Sequence, residues 1–276
     1  MTVSILQRKM ERVRRRVQGL ACERVCRRQA DPLAGNSKTI VTTFYDVEGD
    51  YAMPGQSRAS INALGRILEI EAVYGIQSTF NIVARFASDI SDLIPTILRG
   101  GHEIASHSYD HTVLNRLSKE QLSDNVRRCR EIFGELGVSI HGHRSPQSAW
   151  NWKLMSILAN EGYSWNAEDG REPHPYRIPS RTGTSFWRFP VTDDDWYYER
   201  DRFSPGQVLS IWKDQIGRAR RHRQYTAIGF HPWVEASDER LTILEEFLHW
   251  LSEQEDIEIL PFGKVLSLIQ GGLSAD

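Results

Sequence analysis

The chain has 276 residues, 40% of them hydrophobic and 25% charged, with a formal net charge of −2 at pH 7. This composition is typical of a globular protein with a sizeable core, and the near-neutral charge argues against a nucleic-acid-binding surface. The three cysteines lack the number and spacing of a disulfide framework, so we expect reduced thiols. The length fits one large domain, because α/β barrels often reach it.

The N-terminal segment differs in charge from the rest of the chain. Residues 1–30 contain nine Lys or Arg and two Glu, a net of +7, whereas the remainder holds 25 basic and 34 acidic residues, a net of −9. Such a segment can bind an anionic membrane surface, or pack on the domain or on a partner copy, if it is an amphipathic helix. Spacings of three and four predict that helix over residues 3–20, with one narrow apolar stripe: Val3, Leu6, Met10, Val13, Val17 and Leu20.

We predict a basic amphipathic helix and linker over residues 1–36 and a single domain over residues 37–276, because residues 31–37 favour turns. No apolar run reaches the length of a membrane span, and the N-terminus lacks the apolar core of a signal peptide. We therefore expect a cytoplasmic protein. Peripheral contact with the inner membrane face, or self-association through residues 3–20, remains open.

From Thr39 onwards, predicted strands and helices alternate to the end of the chain. The strands cover residues 39–45, 78–83, 102–106, 138–143, 163–166, 185–189, 225–230 and 257–261. The helices cover residues 57–74, 88–99, 118–136, 149–160, 205–221, 238–252 and 263–269. Residues 171–183 are polar and rich in proline, which predicts a loop.

The seven or eight strand–helix repeats favour an α/β fold in which helices cover a parallel sheet, closed into a distorted (β/α) barrel of about seven strands. A doubly wound open sheet is the alternative. It is less favoured because no Gly-x-Gly-x-x-Gly sequence follows the first strand.

Polar side chains follow four of the predicted strands, where a parallel barrel places its chemistry. Each has an ordinary explanation on its own, such as a turn-forming aspartate or a surface histidine, but their coincidence at one mouth indicates a site. His107 and His111 could share one metal ion if the segment after His107 turns helically. The set comprises Asp46 and Glu48, then His107 and His111, then Arg144, and finally His231.

These motifs, in this order, resemble the polysaccharide deacetylase family, the NodB-homology domain of carbohydrate esterase family 4, over roughly residues 39–270. His107-Ser108-Tyr109-Asp110-His111 is similar to the family's His-Ser/Thr-x-x-His motif, and Arg144-Ser145-Pro146 to its Arg-x-Pro motif. His231 closes a late apolar strand, as the last family motif does. Asp-Val-Glu at 46–48, His-Arg-Ser-Pro at 143–146 and His-Pro-Trp at 231–233 resemble the variant branch found among exopolysaccharide clusters.

The first motif leaves two alignments open. Its commonest form has adjacent aspartates, base then metal ligand, directly after Thr-Phe, and here Tyr45 occupies the first of those places. Asp46 would then be the ligand and the base would be missing. In the Asp-x-Asp form, Asp46 is the base and Glu48 the ligand. We favour this second alignment because it leaves no role empty.

The resemblance implies a metal-dependent hydrolase that removes N-acetyl groups from a sugar or glycan precursor. Glu48, His107 and His111 would hold a divalent metal, expected to be Zn²⁺. Asp46 would be the base, with metal binding as its alternative role. Arg144 would keep Asp46 ionised, and His231 would protonate the leaving amine.

For the sugar-binding surface we expect Trp165, Trp233 and Pro146, because aromatic faces stack on sugar rings. Trp165, Glu168 and Asp169 lie where a Trp and an Asp would flank the catalytic histidine, without a clear assignment. We expect the acidic run 193–195 to be a solvated loop. The alternative functions are a deformylase or small-amide hydrolase of the same fold, and an inactive carbohydrate-binding relative.

Overall fold

The computed structural model describes residues 5–179 and 186–273. Its helices are α1 Ile5–Cys26, α2 Ser57–Tyr74, α3 Ile94–Arg99, α4 Lys119–Glu135, α5 Trp152–Asn160, α6 Trp196–Arg200, α7 Pro205–His222, α8 Asp238–Ser252 and α9 Phe262–Leu273. Its strands are β1 Thr39–Val47, β2 Thr79–Ile82, β3 Glu103–Ser106, β4 Gly142–Arg144, β5 Trp165–Asp169, β6 Tyr176–Ile178, β7 Phe186–Val191, β8 Asp193–Asp194, β9 Thr226–Phe230 and β10 Ile257–Ile259. None of the helices in these two ranges is both long and apolar enough to cross a membrane.

The strands form one sheet in the order β6-β7-β5-β4-β3-β2-β1-β9-β8, and β10 pairs with the start of β1. All of these pairs are parallel except β6 with β7. The two ends of this strand order are joined by one stretch of chain, residues 186–194. Its first part, β7, pairs with β5, and its last part, β8, pairs with β9. Between them, the Thr192 N–H donates to the Ala227 carbonyl at 3.0 Å. The predicted distorted barrel is thus confirmed, although no strand pair among the described residues completes its ring.

Side-chain direction along β1 connects the fold to the site. All nine residues of β1 are buried, as expected for a central parallel strand rich in β-branched and aromatic residues. Phe44 points into the barrel, where it packs against Phe262. Tyr45 packs with the side chains outside the sheet. Alternation then returns Asp46 to the interior, at the mouth of the barrel.

Large aromatic side chains fill the barrel interior where the neighbouring strand carries a glycine. A Cβ atom at Gly229 would lie 2.3 Å from Phe44, and one at Gly142 would lie 1.9 Å from Trp165. Trp165 also packs against Phe262, with 4.8 Å between ring centroids. These contacts make the floor of the barrel a closed core that opens only at the mouth.

Outside the sheet, between β1, β2 and α2, lies a second set of buried polar side chains, the outer cluster: Tyr45, Glu71, Ser78 and His102. The Tyr45 hydroxyl donates to Glu71 Oε1 at 2.9 Å, and Ser78 Oγ donates to the same atom. The Ser78 N–H donates to His102 Nδ1 at 3.1 Å. Burial raises the pKa of Glu71 to about 8 and lowers the pKa of His102 to about 4.

Several predicted elements have different bounds in the structure. The predicted helix 88–99 is shortened to α3, because Pro95 lacks a backbone N–H and is accommodated in the first turn of the helix. Part of the predicted loop 171–183 is the antiparallel strand β6, and residues 180–183 of that prediction lie outside the described residues. β6 is only three residues long and is flanked by prolines, so its sequence shows no recognisable strand pattern.

The last turns of α1 pack against β6. Cys22 and Cys26 are buried, and Cys26 Sγ lies 3.7 Å from His174 Nε2. Gln29, after the helix, donates to the Arg177 carbonyl and accepts from the Arg177 N–H, both at 2.8 Å. The apolar stripe does not pack on the domain where the structure describes it, because its members are exposed: Val13, Val17 and Leu20. Val3 and the side chains of Leu6 and Met10 lie outside the described part.

Candidate active site

Glu48, just beyond β1, meets the two histidines that follow β3. Glu48 Oε1 lies 2.8 Å from His111 Nε2 and 3.1 Å from His107 Nε2. The three candidate ligand atoms are all within 4.8 Å of one another. One carboxylate and two imidazoles form a donor set that suits Zn²⁺ or a similar ion and leaves further coordination positions open.

The protonation of His107 tests whether this donor set fits a cation. His107 Nδ1 lies 3.0 Å from the Arg144 carbonyl oxygen, which only accepts, so Nδ1 carries the proton. In the neutral ring that metal binding requires, the lone pair of Nε2 then faces the Glu48 carboxylate oxygen at 3.1 Å, and two electron-rich atoms at this distance repel each other. His111 Nε2 is also buried, and it makes no hydrogen bond although Glu48 Oε1 lies 2.8 Å away. A cation bound between these atoms removes the conflict, so the residues fit a metal.

The His107–His111 segment is a turn rather than the helix considered for it. Ser108 and His111 both have positive φ values, 67° and 61°. The His111 N–H donates to Ser108 Oγ at 2.9 Å, which closes the turn. Positive φ values are unfavourable for non-glycine residues and persist where the surrounding structure imposes them. The backbone that carries the two imidazoles is therefore strained.

Asp46 is held by two donors, one on each oxygen. Arg144 Nε donates to Oδ2 at 2.7 Å, and Asn81 Nδ2 donates to Oδ1 at 2.8 Å. Burial alone would raise the pKa of Asp46, but the Arg144 guanidinium, followed by His107 and His231, brings the pKa below its usual value. The carboxylate is therefore ionised and fixed in direction.

Arg144 joins three carboxylates although it is itself buried. Besides Asp46, its Nη2 donates to Asp194 Oδ2 at 2.8 Å and approaches Asp169 Oδ1 at 3.5 Å. The guanidinium carbon lies 4.9 Å from the centre of the Phe44 ring. This side chain supplies the positive charge that lets several carboxylates share the mouth of the barrel.

His231 is held by Asp195, a partner that sequence reasoning missed. Asp195 accepts from the His231 backbone N–H at 2.8 Å and pairs with Nδ1 at 2.5 Å. This leaves Nε2 facing Asp46 and Glu48, at 3.9 and 3.8 Å. Burial would lower the pKa of His231, but Asp195, then Asp194 and Glu48, raise it well above its usual value. The ring is an imidazolium.

The expectation of a solvated loop at 193–195 is wrong. Asp193 and Asp194 are 6% exposed and Asp195 is 0% exposed, because β8 pairs with β9 directly before His231. Glu168, considered from the sequence as a neighbour of the catalytic histidine, does not flank His231. It accepts hydrogen bonds from the Ser145 and Ser148 hydroxyls instead. The available signal was that acidic residues follow an apolar strand, as they do after β1.

Two of the three expected sugar-binding residues lie elsewhere. Trp165 is 0% exposed in the barrel core, so no sugar can stack on it, and this expectation is wrong. Pro146 is also buried, and its neighbour Gln147 lines the cavity instead. Trp233 does lie in the site, where its Nε1–H donates to Glu48 Oε2 at 3.0 Å.

The site opens into two connected spaces. A cavity of about 270 Å³ contains Asp46, Glu48, His231 and Trp233. Beyond Asp169, Asp194 and Tyr197, which border both spaces, a cleft of about 820 Å³ runs between the barrel and α1. Volumes of this size hold ligands of several rings.

Comparisons with known proteins identify similar sequences and similar folds. Residues 34–165 match the family model described as polysaccharide deacetylase. The peptidoglycan-N-acetylglucosamine deacetylase PgdA of Listeria monocytogenes is 22% identical over 138 residues, 50% of this chain and 27% of the relative. A chitooligosaccharide deacetylase of Sinorhizobium fredii is 26% identical over 100 residues, 35% of this chain and 46% of the relative. The alignments thus span a quarter to a half of these curated relatives.

Solved structures share the fold. A provisionally assigned polysaccharide deacetylase from Mycobacterium smegmatis superposes with a TM-score of 0.80 at 21% identity, covering 88% of this chain and 94% of that one. Puue allantoinase gives a TM-score of 0.79 at 16% identity with the same coverage. BA3943 of Bacillus anthracis, a carbohydrate esterase family 4 pseudoenzyme, gives 0.58 at 17% identity, covering 83% and 66%. Residues 34–165 of this chain therefore match the polysaccharide deacetylase family, and the solved structures show the same fold over most of the chain.

Proposed function

We propose that this protein is a metal-dependent hydrolase that removes N-acetyl groups from a glycan or a glycan precursor, including precursors of exopolysaccharide. The observation that carries this proposal is the position of Asp46 and His231. Both lie beside the donor set of Glu48, His107 and His111, and each is held in one protonation state by its own partner.

These residues match the demands of the reaction. An acetamide is a poor electrophile, and its leaving amine needs a proton. Glu48, His107 and His111 would hold a divalent ion, which would act as a Lewis acid for the acetamide. Asp46, kept ionised by Arg144, accepts the proton of the attacking water, and His231 donates from Nε2 to the departing amine.

The distances support Glu48 rather than Asp46 as the metal ligand. Glu48 Oε1 is within 3.1 Å of both imidazoles, whereas the Asp46 oxygen nearest to His107 lies 3.9 Å away. Each Asp46 oxygen also accepts one hydrogen bond, from Arg144 or from Asn81, and keeps a second lone pair. Asp46 thus remains available as the base, and no role is empty. This argues against an inactive carbohydrate-binding relative.

The cleft favours a glycan over a small cyclic amide. The similarity to Puue allantoinase keeps hydrolysis of a small amide as the second candidate. A cyclic amide fits within the 270 Å³ cavity alone, whereas the adjoining cleft of 820 Å³ offers room for further sugar units. The curated relatives are named as deacetylases of carbohydrates, peptidoglycan N-acetylglucosamine and chitooligosaccharide.

The test of the proposal is acyl release from a mixed panel, followed by mass spectrometry with and without chelator. The panel contains N-acetylated, N-formylated and O-acetylated sugars, their oligomers and cyclic amides. We expect acetate from an N-acetylated sugar, lost with chelator and restored by Zn²⁺. Release from a cyclic amide alone would support the second candidate, and no release from a protein that holds no metal would support the binding protein.

Gly19→Trp tests the cleft. Gly19 borders the cleft and has open space at its Cβ position, so a Trp there obstructs it. We expect kcat/KM for N-acetylated oligomers to fall about tenfold, the loss of one stacked and hydrogen-bonded ring, with the monomer unaffected. Gly134→Trp, at an equally open helical glycine of α4, is the matched control. Equal effects of both variants would contradict the assignment of the cleft.

A further inference from the structure

Helix α1 has two opposite faces in the structure. Cys22 and Cys26 are buried against the barrel. On the other side Val13, Val17 and Leu20 are 64%, 60% and 59% exposed. Their spacing of four and three places these three side chains in one line along the helix. The helix is therefore fixed to the domain by its last turns while presenting an uncovered apolar line to the outside.

Exposed basic side chains flank this line. Arg14 lies on one side of it and Arg16 on the other, and Arg24 continues it past Leu20. The segment 1–30 as a whole carries +7, opposite in sign to the −9 of the remaining chain. An apolar line between rows of arginine has the pattern of a helix that lies in the headgroup region of a bilayer.

A neighbouring helix extends the same surface. Trp152, at the start of α5, is 39% exposed, and Lys153 follows it. Both border a shallow groove of about 430 Å³ together with Arg14 and Val17. Trp is favoured at the boundary between headgroups and acyl chains because its ring is apolar and its N–H is polar.

We propose that α1 and Trp152 dock this protein on an anionic lipid bilayer. The surface is defined by Val13, Val17, Leu20, Trp152, Arg14, Arg16, Arg24 and Lys153, and is called the α1 surface. A bilayer fits it better than a second copy does. The arginines beside the line would lose their hydration in a protein interface, whereas lipid headgroups leave them solvated and bound to phosphate.

The test is flotation of the full chain with vesicles of phosphatidylcholine, and of phosphatidylcholine mixed with phosphatidylglycerol, at low and high salt. We expect binding to the mixed vesicles only, weakened by salt because the arginines contribute through screened charges. Val13→Asp/Val17→Asp should weaken this binding about tenfold or more, because two apolar side chains leave the acyl region. Val73→Asp, at a 75% exposed valine of α2 outside the α1 surface, should have no effect.

Three outcomes would overturn the proposal. One is the absence of binding to the mixed vesicles, and another is binding that the double variant leaves unchanged. The third is a lipid-free dimer that the double variant abolishes, which would assign the α1 surface to a second copy. Activity on a soluble substrate should be the same in both variants and the wild type, so this result is independent of the proposed function.

Discussion

Tyr45 and Asp46 are neighbours on β1, yet they belong to two buried polar clusters with opposite electrostatics. Asp46 faces the mouth of the barrel, where Arg144 and His231 supply positive charge and lower its pKa. Tyr45 faces the outer cluster, where Glu71 has only a neutral histidine nearby and its pKa rises to about 8. Burial is complete in both places, so the presence of a cation decides the charge of each carboxylate.

The difference separates a site prepared for chemistry from a polar contact within the scaffold. At the mouth, Asp46 and Glu48 are ionised beside the His231 imidazolium, an arrangement suited to proton transfer. The outer cluster holds a neutral acid whose hydrogen bonds join β1, β2 and α2. The same kinds of substitution should therefore have opposite consequences in the two clusters.

The largest effect is expected for Asp46→Asn. The amide cannot accept the proton from water, so kcat should fall by about 10²–10⁴-fold, while metal content stays near that of the wild type. Initial rates and elemental analysis measure this. The control is Asp92→Asn, an exposed aspartate outside both clusters. Parallel loss of metal and activity would instead make Asp46 a ligand.

His231→Ala should lower turnover by roughly two to four orders of magnitude without loss of bound metal, because the leaving amine lacks its proton donor. The matched control is His141→Ala, an exposed histidine outside the mouth. The two variants are compared by steady-state rates on the same N-acetylated substrate. Unchanged turnover in His231→Ala would remove this residue from the mechanism.

Arg144→Met tests the cation that distinguishes the two clusters. Three carboxylates lose a buried partner, so we expect the free energy of unfolding to fall by about 3–5 kcal/mol and activity to be lost with it. Arg66→Met breaks an exposed pair with Asp238 and should change stability by about 0–1 kcal/mol. Denaturant unfolding measures both. Equal losses would show that Arg144 acts as an ordinary surface arginine.

Glu71→Gln should stabilise the protein at alkaline pH. Between pH 4.5 and about 8 folded Glu71 keeps a proton that the unfolded chain releases, so wild-type stability falls as pH rises through this range. Gln cannot titrate, can accept from Tyr45 and Ser78, and can donate to His102. The variant's advantage should grow towards pH 8, to on the order of 2–4 kcal/mol.

Urea unfolding of both proteins at pH 5 and at pH 8 measures that advantage. His102, whose pKa is lowered to about 4, adds an opposite pH dependence below about pH 6.5 to both proteins, so it cancels in the difference. A difference that does not change between the two pH values would contradict the assignment of a neutral Glu71.

The residues predicted from sequence share one property: they stand directly after strands that the hydrophobic pattern defines. Asp46, Glu48, His107, Arg144 and His231 could be found this way, because the carboxyl ends of parallel strands meet at one mouth. Asp195 could not, since its burial depends on the pairing of β8 with β9, which joins parts of the chain far apart in sequence.

Trp165 was misplaced because of register. The prediction ended its strand at Asn166, which put Trp165 close to the mouth, whereas β5 begins at Trp165 and ends at Asp169. An error of this size moves a residue from the mouth of the barrel, at the end of the strand, to the floor, at its start. Sequence patterns locate the ends of an element only to within a few residues. In a strand of five residues, an error of that size is enough to misplace a side chain from one end to the other.

The stretch from Phe186 to Asp195 has a consequence for insertions and deletions. One unbroken piece of chain pairs with β5, then with β9, and ends in the carboxylates that hold Arg144 and His231. Removing a single residue after Val191 would turn each following side chain to the opposite face. Asp194 and Asp195 would lose their partners together, so we expect this segment not to tolerate changes in length.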